Sequence, residues 1–248
     1  MVENAEAGMK EEREYPEEIF FEDDRYQNLM MQYRCAILEL ETKFHVLNAE
    51  FSLRHNRNPI ESIKTRLKSP HSIVEKMRRK GWELSPENIE KNLSDVAGVR
   101  VICSFPEDIY SLATLLTRQD DIVVVGIKDY IEKPKPNGYR SLHLILGIPI
   151  FLSGGKKHMR AEVQFRTIAM DFWASLEHKL KYKQDIENAE SIVLELKACA
   201  DTICQVDYRM QEIRRIIDPG RVGPEEEEQT VRESIWWEKL AAGSKRKE

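Results

Sequence analysis

The sequence predicts an α/β fold, in which a core of strands and helices is flanked by helices at both ends. Two observations lead to this prediction. Residues 99–165 contain four short segments rich in β-branched or alternating apolar residues, and helical or turn-forming segments separate them. On either side of this region, apolar residues recur every three or four positions, as they do along a buried helix face. A sheet packed against helices buries all of these faces.

The segment before the core is expected to be helical. One long helix, or two in tandem, fits residues 17–54. A helix should open at Pro70, because Ser69 is a favourable N-cap residue and proline suits the first helical position, and it should end at Gly81. A further short helix is expected over residues 86–93.

The core should hold four strands, and a helix over residues 106–118 should separate the first two. The strands are expected at 99–105, 121–130, 141–151 and 158–165. After the last strand, helical periodicity returns from residue 167 to about residue 217, with a break near 184–188.

The composition is typical of a soluble globular protein. Hydrophobic residues make up 41% and charged residues 33% of the chain, and no apolar run approaches the ~20 residues of a membrane span. The acidic N-terminus lacks the apolar segment of a secretory signal, so a cytoplasmic location is expected. The four cysteines are scattered and form no C-x-x-C pair, and we expect them to be free thiols.

The charge distribution points to a small anionic ligand. A formal net charge of −5 argues against a general nucleic-acid binder, which is usually basic. Lysine and arginine nevertheless gather in residues 54–80 and 128–140. An acidic protein with two local basic clusters suits a small polyanion better than a long one.

The last predicted strand alternates strictly between apolar and polar residues, so its polar side chains share one face. That face would present Arg160, Glu162, Gln164 and Arg166. Taken alone, such a strand is most simply explained as half-exposed. An acid set among two arginines and an amide also suits a metal–phosphate site.

A second acid, Asp95, closely precedes the first predicted strand. Proteins typically hold Mg²⁺ with one or two carboxylates together with substrate phosphates and water. Asp95 and Glu162 on neighbouring strands would supply such a pair, with Gly98 and Arg100 facing the same region. An ordinary turn or cap role explains Asp95 equally well.

The first basic cluster lies at and before the N-terminus of the helix that follows Ser69. Helical spacing stacks a serine and two cations on one face, and a helix N-terminus attracts anions. The cluster therefore offers charge, donors and a dipole to a triphosphate, although a solvated basic face explains it as well. Its members are Arg66, Lys68, Ser72, Lys76 and Arg79.

The second basic cluster surrounds a turn that proline and glycine specify. An aromatic ring beside lysines suits a purine base and its phosphates, although a single tyrosine at a strand start is more often part of the core or its rim. The candidates are Lys133, Lys135, Asn137, Tyr139 and His143.

One further acid, Glu177, falls one turn from Trp173, near the apolar side of a predicted helix. Acids so placed usually have a partner. A local interaction that involves His178 and a contact with substrate explain Glu177 equally well.

Four phrases, taken in order, resemble the synthetase domain of the RelA/SpoT alarmone family, and most of all the stand-alone small alarmone synthetases. Any one phrase alone is a weak signal, but their joint occurrence over about residues 60–185 is highly specific. The phrases are RLKSPHSIVEKM, DVAGVRVICSF, PKPNGYRSLHL and EVQFRTIAMDFWASLEHKLKYK.

The resemblance implies a mixed sheet of the nucleotidyltransferase-like type. It also implies a Mg²⁺-dependent enzyme that transfers pyrophosphate from ATP to the 3′-hydroxyl of GTP or GDP, yielding pppGpp or ppGpp and AMP. The catalytic core would then span 58–185. It would follow an acidic disordered N-terminus (1–15) and a helical segment (16–57), and would precede a helical oligomerisation segment with a tail (186–248).

The resemblance further implies roles for individual residues. Asp95 and Glu162 would hold Mg²⁺, and Glu162 would activate the acceptor hydroxyl. Arg66 and Arg100 would sandwich adenine, while Tyr139 would stack on guanine. The ATP phosphates would contact Lys68, Ser72, Lys76 and Arg79. The acceptor nucleotide would be surrounded by Lys133, Lys135, Asn137, His143, Gln164 and Glu177.

The resemblance implies synthesis without hydrolysis, because no His-Asp dipeptide, the mark of the hydrolase site in bifunctional members, occurs among the six histidines. A homotetramer built through the flanking helices is also expected. Two alternatives stay open: a nucleotidyltransferase of similar fold that moves AMP, and an inactive regulator that binds nucleotide or RNA. The sequence leaves undetermined the preference among GMP, GDP and GTP, and any allosteric nucleotide or RNA ligand.

Overall fold

The structure is a computed structural model that describes residues 17–55, 57–181 and 189–217. Its centre is a five-stranded mixed sheet with the strand order β1-β2-β5-β4-β3. The strands β2 and β5 are parallel, and the other neighbours are antiparallel. The strands are β1 (Ile60–Leu67), β2 (Ala97–Cys103), β3 (Val123–Asp129), β4 (Leu142–Leu152) and β5 (Gly155–Thr167).

Seven helices accompany the sheet in the described part of the chain. They are α1 (Glu17–Glu22), α2 (Asp24–His55), α3 (Pro70–Lys80), α4 (Pro86–Asn92), α5 (Pro106–Thr117), α6 (Ile168–Lys181) and α7 (Ala189–Ile217). The predicted α/β fold with a mixed sheet and flanking helices is confirmed. Among the described residues, no helix is both long and apolar enough to cross a membrane.

The helix boundaries follow the local signals in the sequence. The helix α3 begins as predicted, since Ser69 accepts a hydrogen bond from the backbone N–H of Ser72 and Pro70 occupies the first turn. It ends at Gly81, which has a φ of 68°. The N-terminal helical segment is two helices in tandem, which Asp23 separates. The expected disorder of residues 1–15 and the break near 184–188 lie outside the described residues.

The prediction of four strands was incomplete, because β1 is a fifth. Its sequence, IESIKTRL, holds few apolar residues, and its C-terminal end belongs to the first basic cluster. As an edge strand, β1 pairs with β2 alone, and only Ile60 in it is fully buried. An edge strand with one half-buried face leaves a weak hydrophobic pattern.

One face of the sheet packs against α2 and forms the core. Tyr33, Leu40 and Phe44 of α2 are at most 1% exposed, and the rings of Phe44 and Phe165 meet edge-on with centroids 5.7 Å apart. Each such buried side chain contributes about 1.5–3 kcal/mol. Because side chains alternate along a strand, burial of this face leaves the polar residues of β5 and its neighbours on the opposite face.

The helix α7 is joined to the rest of the molecule by buried polar contacts as well as by packing. Trp173 of α6 donates to the carbonyl of Leu196, and Thr167 donates to Asp207 at 2.5 Å. Asp108 is fully buried and pairs with Arg57 and Arg214. The four cysteines are free thiols.

Candidate active site

The strand register gathers the polar candidates on one face of the sheet. Glu162 lies beside Gly98 of β2, while Gln164 lies between Arg100 of β2 and His143 of β4. Residues directly opposite each other on neighbouring strands share a face. The polar side chains of β2, β4 and β5 therefore form one continuous surface, which is the candidate active site.

Glu162 stands at the centre of this surface and receives a donor on each carboxylate oxygen. The Nδ1 atom of His143 lies 2.9 Å from Oε1, and Nε2 of Gln164 donates to Oε2 at 3.0 Å. Burial raises the pKa of Glu162 and the charge of Asp95 also raises it, but the bonds from His143 and Gln164 outweigh both and the pKa is lowered. Glu162 is therefore ionised at neutral pH, and Asp95 is close enough to influence it.

Asp95 is held by two lysines of the first basic cluster. Lys76 donates to Oδ1 at 2.8 Å, and Lys68 donates to Oδ2 at 3.2 Å. Burial raises the pKa of Asp95, but the hydrogen bond from Lys76 and the charge of Lys68 outweigh burial and lower it. Two residues predicted to bind phosphate thus contact one of the two predicted metal ligands.

The donor set fits a magnesium ion of the kind held jointly by protein and substrate. Among the described residues, no group of three or more His, Cys, Asp and Glu side chains could enclose a metal. Asp95 and Glu162 are both ionised, and their hydrogen bonds come from side chains that can move. Two carboxylates on an open polar surface match the preference of Mg²⁺ for few protein ligands plus phosphate and water.

The remaining candidates for ATP binding lie along β1, α3 and β2. Arg66 pairs with Gly98, and Lys64 pairs with Arg100, so Arg66 and Arg100 share one face. Nε of Arg100 is buried and has no hydrogen-bond partner among the described residues. A Cβ at Gly98 would meet the carbonyl oxygen of Arg66 at 3.5 Å, an ordinary contact, so internal packing does not require glycine there.

The helix α3 includes Ser72, Lys76 and Arg79, which have the predicted spacing on one face, and only Lys76 of the three contacts Asp95 among the described contacts. Ser72 accepts a hydrogen bond from the side chain of Ser69 at 2.9 Å and so belongs to the helix cap. Arg79 is exposed in the last turn. Ile73 and Met77 form the buried side of the helix. The structure therefore brings Lys68 and Lys76, but not Arg79, to Asp95.

The turn of the second basic cluster is an ordered loop, which we call the acceptor loop (residues 133–140). Lys135 lies 4.6 Å from the centroid of the Tyr139 ring, while Lys133 is exposed. Asn137 donates to Glu177 of α6 at 2.9 Å. Glu177 thus has a partner in this loop, whereas His178 is exposed.

The acceptor loop is also packed against α7. Gly138 has a φ of 88°, and a Cβ there would stand 2.5 Å from Cβ of Ala200. Both the backbone conformation and the close approach therefore require glycine. Arg140 donates to Asp201 at 2.9 Å and adds an ion pair between the loop and α7.

Two residues to which the sequence analysis gave no role lie inside the site. Asp171, in the first turn of α6, accepts hydrogen bonds from Lys64, Arg100 and Arg166 at 2.9, 3.2 and 3.0 Å. Burial raises its pKa, but these cations outweigh burial and the pKa is lowered. Arg166 was placed on the polar face of its strand, where two arginines outnumber the single acid Glu162, and this excess of positive charge was the available signal for a further acidic partner.

Comparison with known proteins identifies the family. The family described as "Region found in RelA / SpoT proteins" matches residues 65–187. GTP pyrophosphokinase YwaC of Bacillus subtilis is 45% identical over 193 residues, which are 78% of this chain and 92% of that protein. GTP pyrophosphokinase YjbM of the same organism is 36% identical over 78% of this chain and 90% of its own length.

Solved structures give the same result. Small alarmone synthetase 2 from Bacillus subtilis superimposes with a TM-score of 0.68 at 44% identity, covering 76% of this chain and 98% of that one. Small alarmone synthetase 1 from Bacillus subtilis, bound to its product pppGpp, gives a TM-score of 0.70 at 36% identity, with 77% and 97% covered. The chain belongs to the RelA/SpoT family of GTP pyrophosphokinases, and it resembles the family's small alarmone synthetases over most of its length.

Proposed function

We infer that this protein is a (p)ppGpp synthetase that transfers pyrophosphate from ATP to the 3′-hydroxyl of GTP or GDP and releases AMP. The observation that supports this most directly is the position of Glu162. It is ionised and held by His143 and Gln164. It lies between β1 and α3, which carry the first basic cluster, on one side and the acceptor loop on the other. One relative, small alarmone synthetase 1 from Bacillus subtilis, was solved both with its product pppGpp and with AMPCPP, an ATP analogue.

The two sides of the surface suit two different nucleotides. Lys68, Ser72, Lys76 and Arg79 would bind the ATP phosphates, and Arg66 and Arg100 would hold adenine between flat guanidinium groups. Tyr139 would stack on guanine, and the acceptor nucleotide would be lined by Lys133, Lys135, Asn137, His143, Gln164 and Glu177. In this arrangement the acceptor 3′-hydroxyl would lie near Glu162 and the β-phosphorus of ATP near Asp95.

The reaction is an in-line displacement. The 3′-oxygen forms a bond to the β-phosphorus, the bond from that phosphorus to the α,β-bridging oxygen breaks, and AMP leaves with the bridging oxygen. Glu162 would accept the proton of the hydroxyl, since its lowered pKa keeps it ionised. Most of the rate enhancement would come from positioning and from cationic side chains around the phosphates.

Mg²⁺ is proposed as the cofactor, with Asp95 and Glu162 as its protein ligands. When bound, it would neutralise charge on the transferred phosphates. Lys68 and Lys76 pair with Asp95 in this structure, and the same lysines could transfer their hydrogen bonds to phosphate oxygens and leave the Asp95 carboxylate available.

We also propose a homotetramer in the cytoplasm, where both nucleotide substrates occur. The helix α7 supports an assembly because large apolar side chains remain exposed along it. They include Leu194, Val206, Met210, Ile213, Ile216 and Ile217. Light scattering at micromolar concentration should give four times the chain mass, and a monomer would contradict the proposal.

The activity is tested by product analysis. The full chain is incubated with labelled ATP, Mg²⁺ and each of GMP, GDP and GTP, and the products are separated. We expect AMP and a 3′-pyrophosphorylated guanine nucleotide, without free pyrophosphate. Free pyrophosphate with an adenylylated acceptor would indicate a nucleotidyltransferase instead, and no turnover would indicate an inactive nucleotide- or RNA-binding regulator.

The role of Glu162 is tested by Glu162→Gln, which keeps the shape and removes the base. General-base catalysis typically contributes 10²–10⁴-fold, so we expect kcat to fall about 10³-fold. Binding of ATP, measured by calorimetry, should change little. Turnover within tenfold of the unmodified chain would remove Glu162 from the mechanism.

A further inference from the structure

We propose that Arg166 and Asp171 form a positioning pair that couples the two nucleotide sites to each other and orients Glu162. The inference rests on the proposed function, because it assigns these two residues to the same reaction. Neither residue is placed in contact with substrate. Both act through other side chains, which are the ones proposed to contact substrate.

Asp171 is the acidic end of the pair and faces the donor nucleotide. It is 7% exposed, and its Oδ1 atom accepts hydrogen bonds from both Arg100 and Arg166, at 3.2 and 3.0 Å. Lys64 donates to Oδ2 at 2.9 Å. A single carboxylate thus fixes the position of Arg100, a candidate adenine contact, relative to Arg166.

Arg166 is the basic end and faces the acceptor nucleotide. It is 5% exposed. Its Nη1 atom donates to Asp171, while Nη2 donates to the hydroxyl of Tyr139 at 2.9 Å and to Oε1 of Gln164 at 3.1 Å. The planar guanidinium therefore holds three side chains at fixed angles, which a lysine could not do.

The first route from Arg166 to Glu162 passes through Tyr139 and His143. Arginine has only donors, so the oxygen of Tyr139 accepts from it, and the one hydroxyl hydrogen is left for Nε2 of His143 at 2.9 Å. A neutral imidazole that accepts at Nε2 carries its proton on Nδ1, which lies 2.9 Å from Oε1 of Glu162. Glu162, which can only accept, requires the proton on Nδ1, and Arg166 supports this tautomer by leaving the hydroxyl hydrogen of Tyr139 to Nε2.

The second route passes through Gln164. Because Oε1 of Gln164 accepts from Arg166, the amide nitrogen is turned toward Oε2 of Glu162, to which it donates at 3.0 Å. The reversed amide would place its nitrogen against the guanidinium and its oxygen against the carboxylate. Both oxygens of Glu162 are therefore oriented by donors whose direction Arg166 determines.

A neighbouring arginine, Arg160, has a structural role, in contrast to the positioning role proposed for Arg166. Arg160 lies on the same strand and the same face, but its Nη2 donates to the backbone carbonyls of Glu90 and Lys91 at 2.7 Å. It fastens α4 to the sheet and has no hydrogen bond to a candidate substrate contact among the described residues. Arg160 is thus a matched control for Arg166.

The test compares Arg166→Lys with Arg160→Lys in the full chain, with ATP, GDP and Mg²⁺. For Arg166→Lys we expect kcat to fall about 10- to 100-fold and the KM for GDP to rise, because the donors to Glu162 from His143 and Gln164 are no longer held in direction. Arg160→Lys should stay within about twofold of the unmodified chain in kcat. Thermal unfolding of both variants separates a loss of fold from a loss of positioning.

A double-mutant cycle tests the route through the hydroxyl. Tyr139→Phe keeps the ring and removes the link, so we expect kcat to fall about tenfold with a smaller change in the KM for GDP. On the Arg166→Lys background the same change should cost less than about twofold. If the losses in kcat from the two substitutions are additive, Arg166 and Tyr139 are not coupled. If Arg166→Lys does not fold, Tyr139→Phe is the test by itself, and an unchanged kcat for this variant would overturn the coupling.

The outcome for the unmodified chain separates the two levels of inference. If that chain makes no 3′-pyrophosphorylated nucleotide, the proposed function itself fails. If it does, and Arg166→Lys and Tyr139→Phe keep its kcat, the function stands and the positioning pair is wrong.

Discussion

The two sides of the surface, which are proposed to bind ATP and the guanine nucleotide respectively, are stabilised by different forces. On the donor side, Lys68 and Lys76 are held at the site by the charge of a single acid, Asp95, beside the edge strand β1. The acceptor loop is held by packing against α7, with Gly138 against Ala200 and an ion pair from Arg140. One side depends on charge and the other on shape.

This difference indicates how each side responds to its ligand. A lysine that pairs with a carboxylate can pair with a phosphate instead, so the donor side can exchange partners as ATP arrives. The acceptor loop is already packed against α7, so binding there should cost little conformational entropy. Charge substitutions should therefore affect the donor side, and steric substitutions the acceptor side.

The largest difference between the two sides is expected from Lys76→Met, which keeps the length of the side chain and removes its charge. A hydrogen bond to a charged group contributes about 1.5–3 kcal/mol, so the KM for ATP should rise about 10- to 100-fold. The KM for GDP should stay within about twofold. Lys80→Met, in the exposed last turn of the same helix, is the control in steady-state kinetics. An equal rise in the KM for ATP and the KM for GDP would show that Lys76 does not act on the ATP side alone.

A smaller effect, on the KM for GDP instead of the KM for ATP, is expected from Gly138→Ala. Its methyl group would meet Ala200 at 2.5 Å at a backbone φ of 88°, so the loop must shift away from α7. We expect the KM for GDP to rise about tenfold and the free energy of unfolding to fall about 1–3 kcal/mol. Urea unfolding and steady-state kinetics measure the two effects. Gly154→Ala is the control, since a Cβ at Gly154 has no heavy atom within 4 Å.

The smallest expected effect is the pH dependence of the stabilisation that Asp95 provides on the donor side. The pKa of Asp95 in the folded chain lies below the ordinary value of 3.8, so its pairing stabilises the fold fully above that value. This stabilisation is lost as the pH falls through the lower, folded pKa. Asp95→Asn should therefore lower Tm at pH 7 by about 2–4 °C, and the difference should be smaller at pH 3, which lies below the ordinary value.

The same pH series should leave the acceptor side unchanged. The loss of stability in Gly138→Ala is steric, so its difference in Tm from the unmodified chain should be the same at both pH values. A difference for Asp95→Asn that is undiminished at pH 3 would show that Asp95 stabilises the fold by something other than its charge.

Strong local patterns were sufficient to predict much of this architecture. The boundaries of α3 followed from Ser69, Pro70 and Gly81, and the strict alternation of β5 correctly placed Glu162 on a polar face. The strand β1 was missed because it is an edge strand with few apolar residues. Periodicity detects a strand only when burial has selected its residues.

The candidate site was predicted less completely than the fold. Asp95 and Glu162 were chosen as a pair from their positions relative to two strands, and their roles stay predictions. Asp171 was not placed in the site, because α6 follows β5 directly and nothing local shows that its first turn lies over Arg100. That contact joins residues that are 71 positions apart in the chain.

The sequence by itself determined which residues can form strands, helices and caps, and which chemical groups are available to bind anionic nucleotides. These properties depend on neighbours a few positions apart, so the one-dimensional pattern contains them. Only the tertiary structure decided which side chains meet: that Lys68 and Lys76 lie on Asp95, and that Arg166 directs two donors onto Glu162. The order of strands in the sheet sets these contacts, and that order results from burying one face of every strand at once.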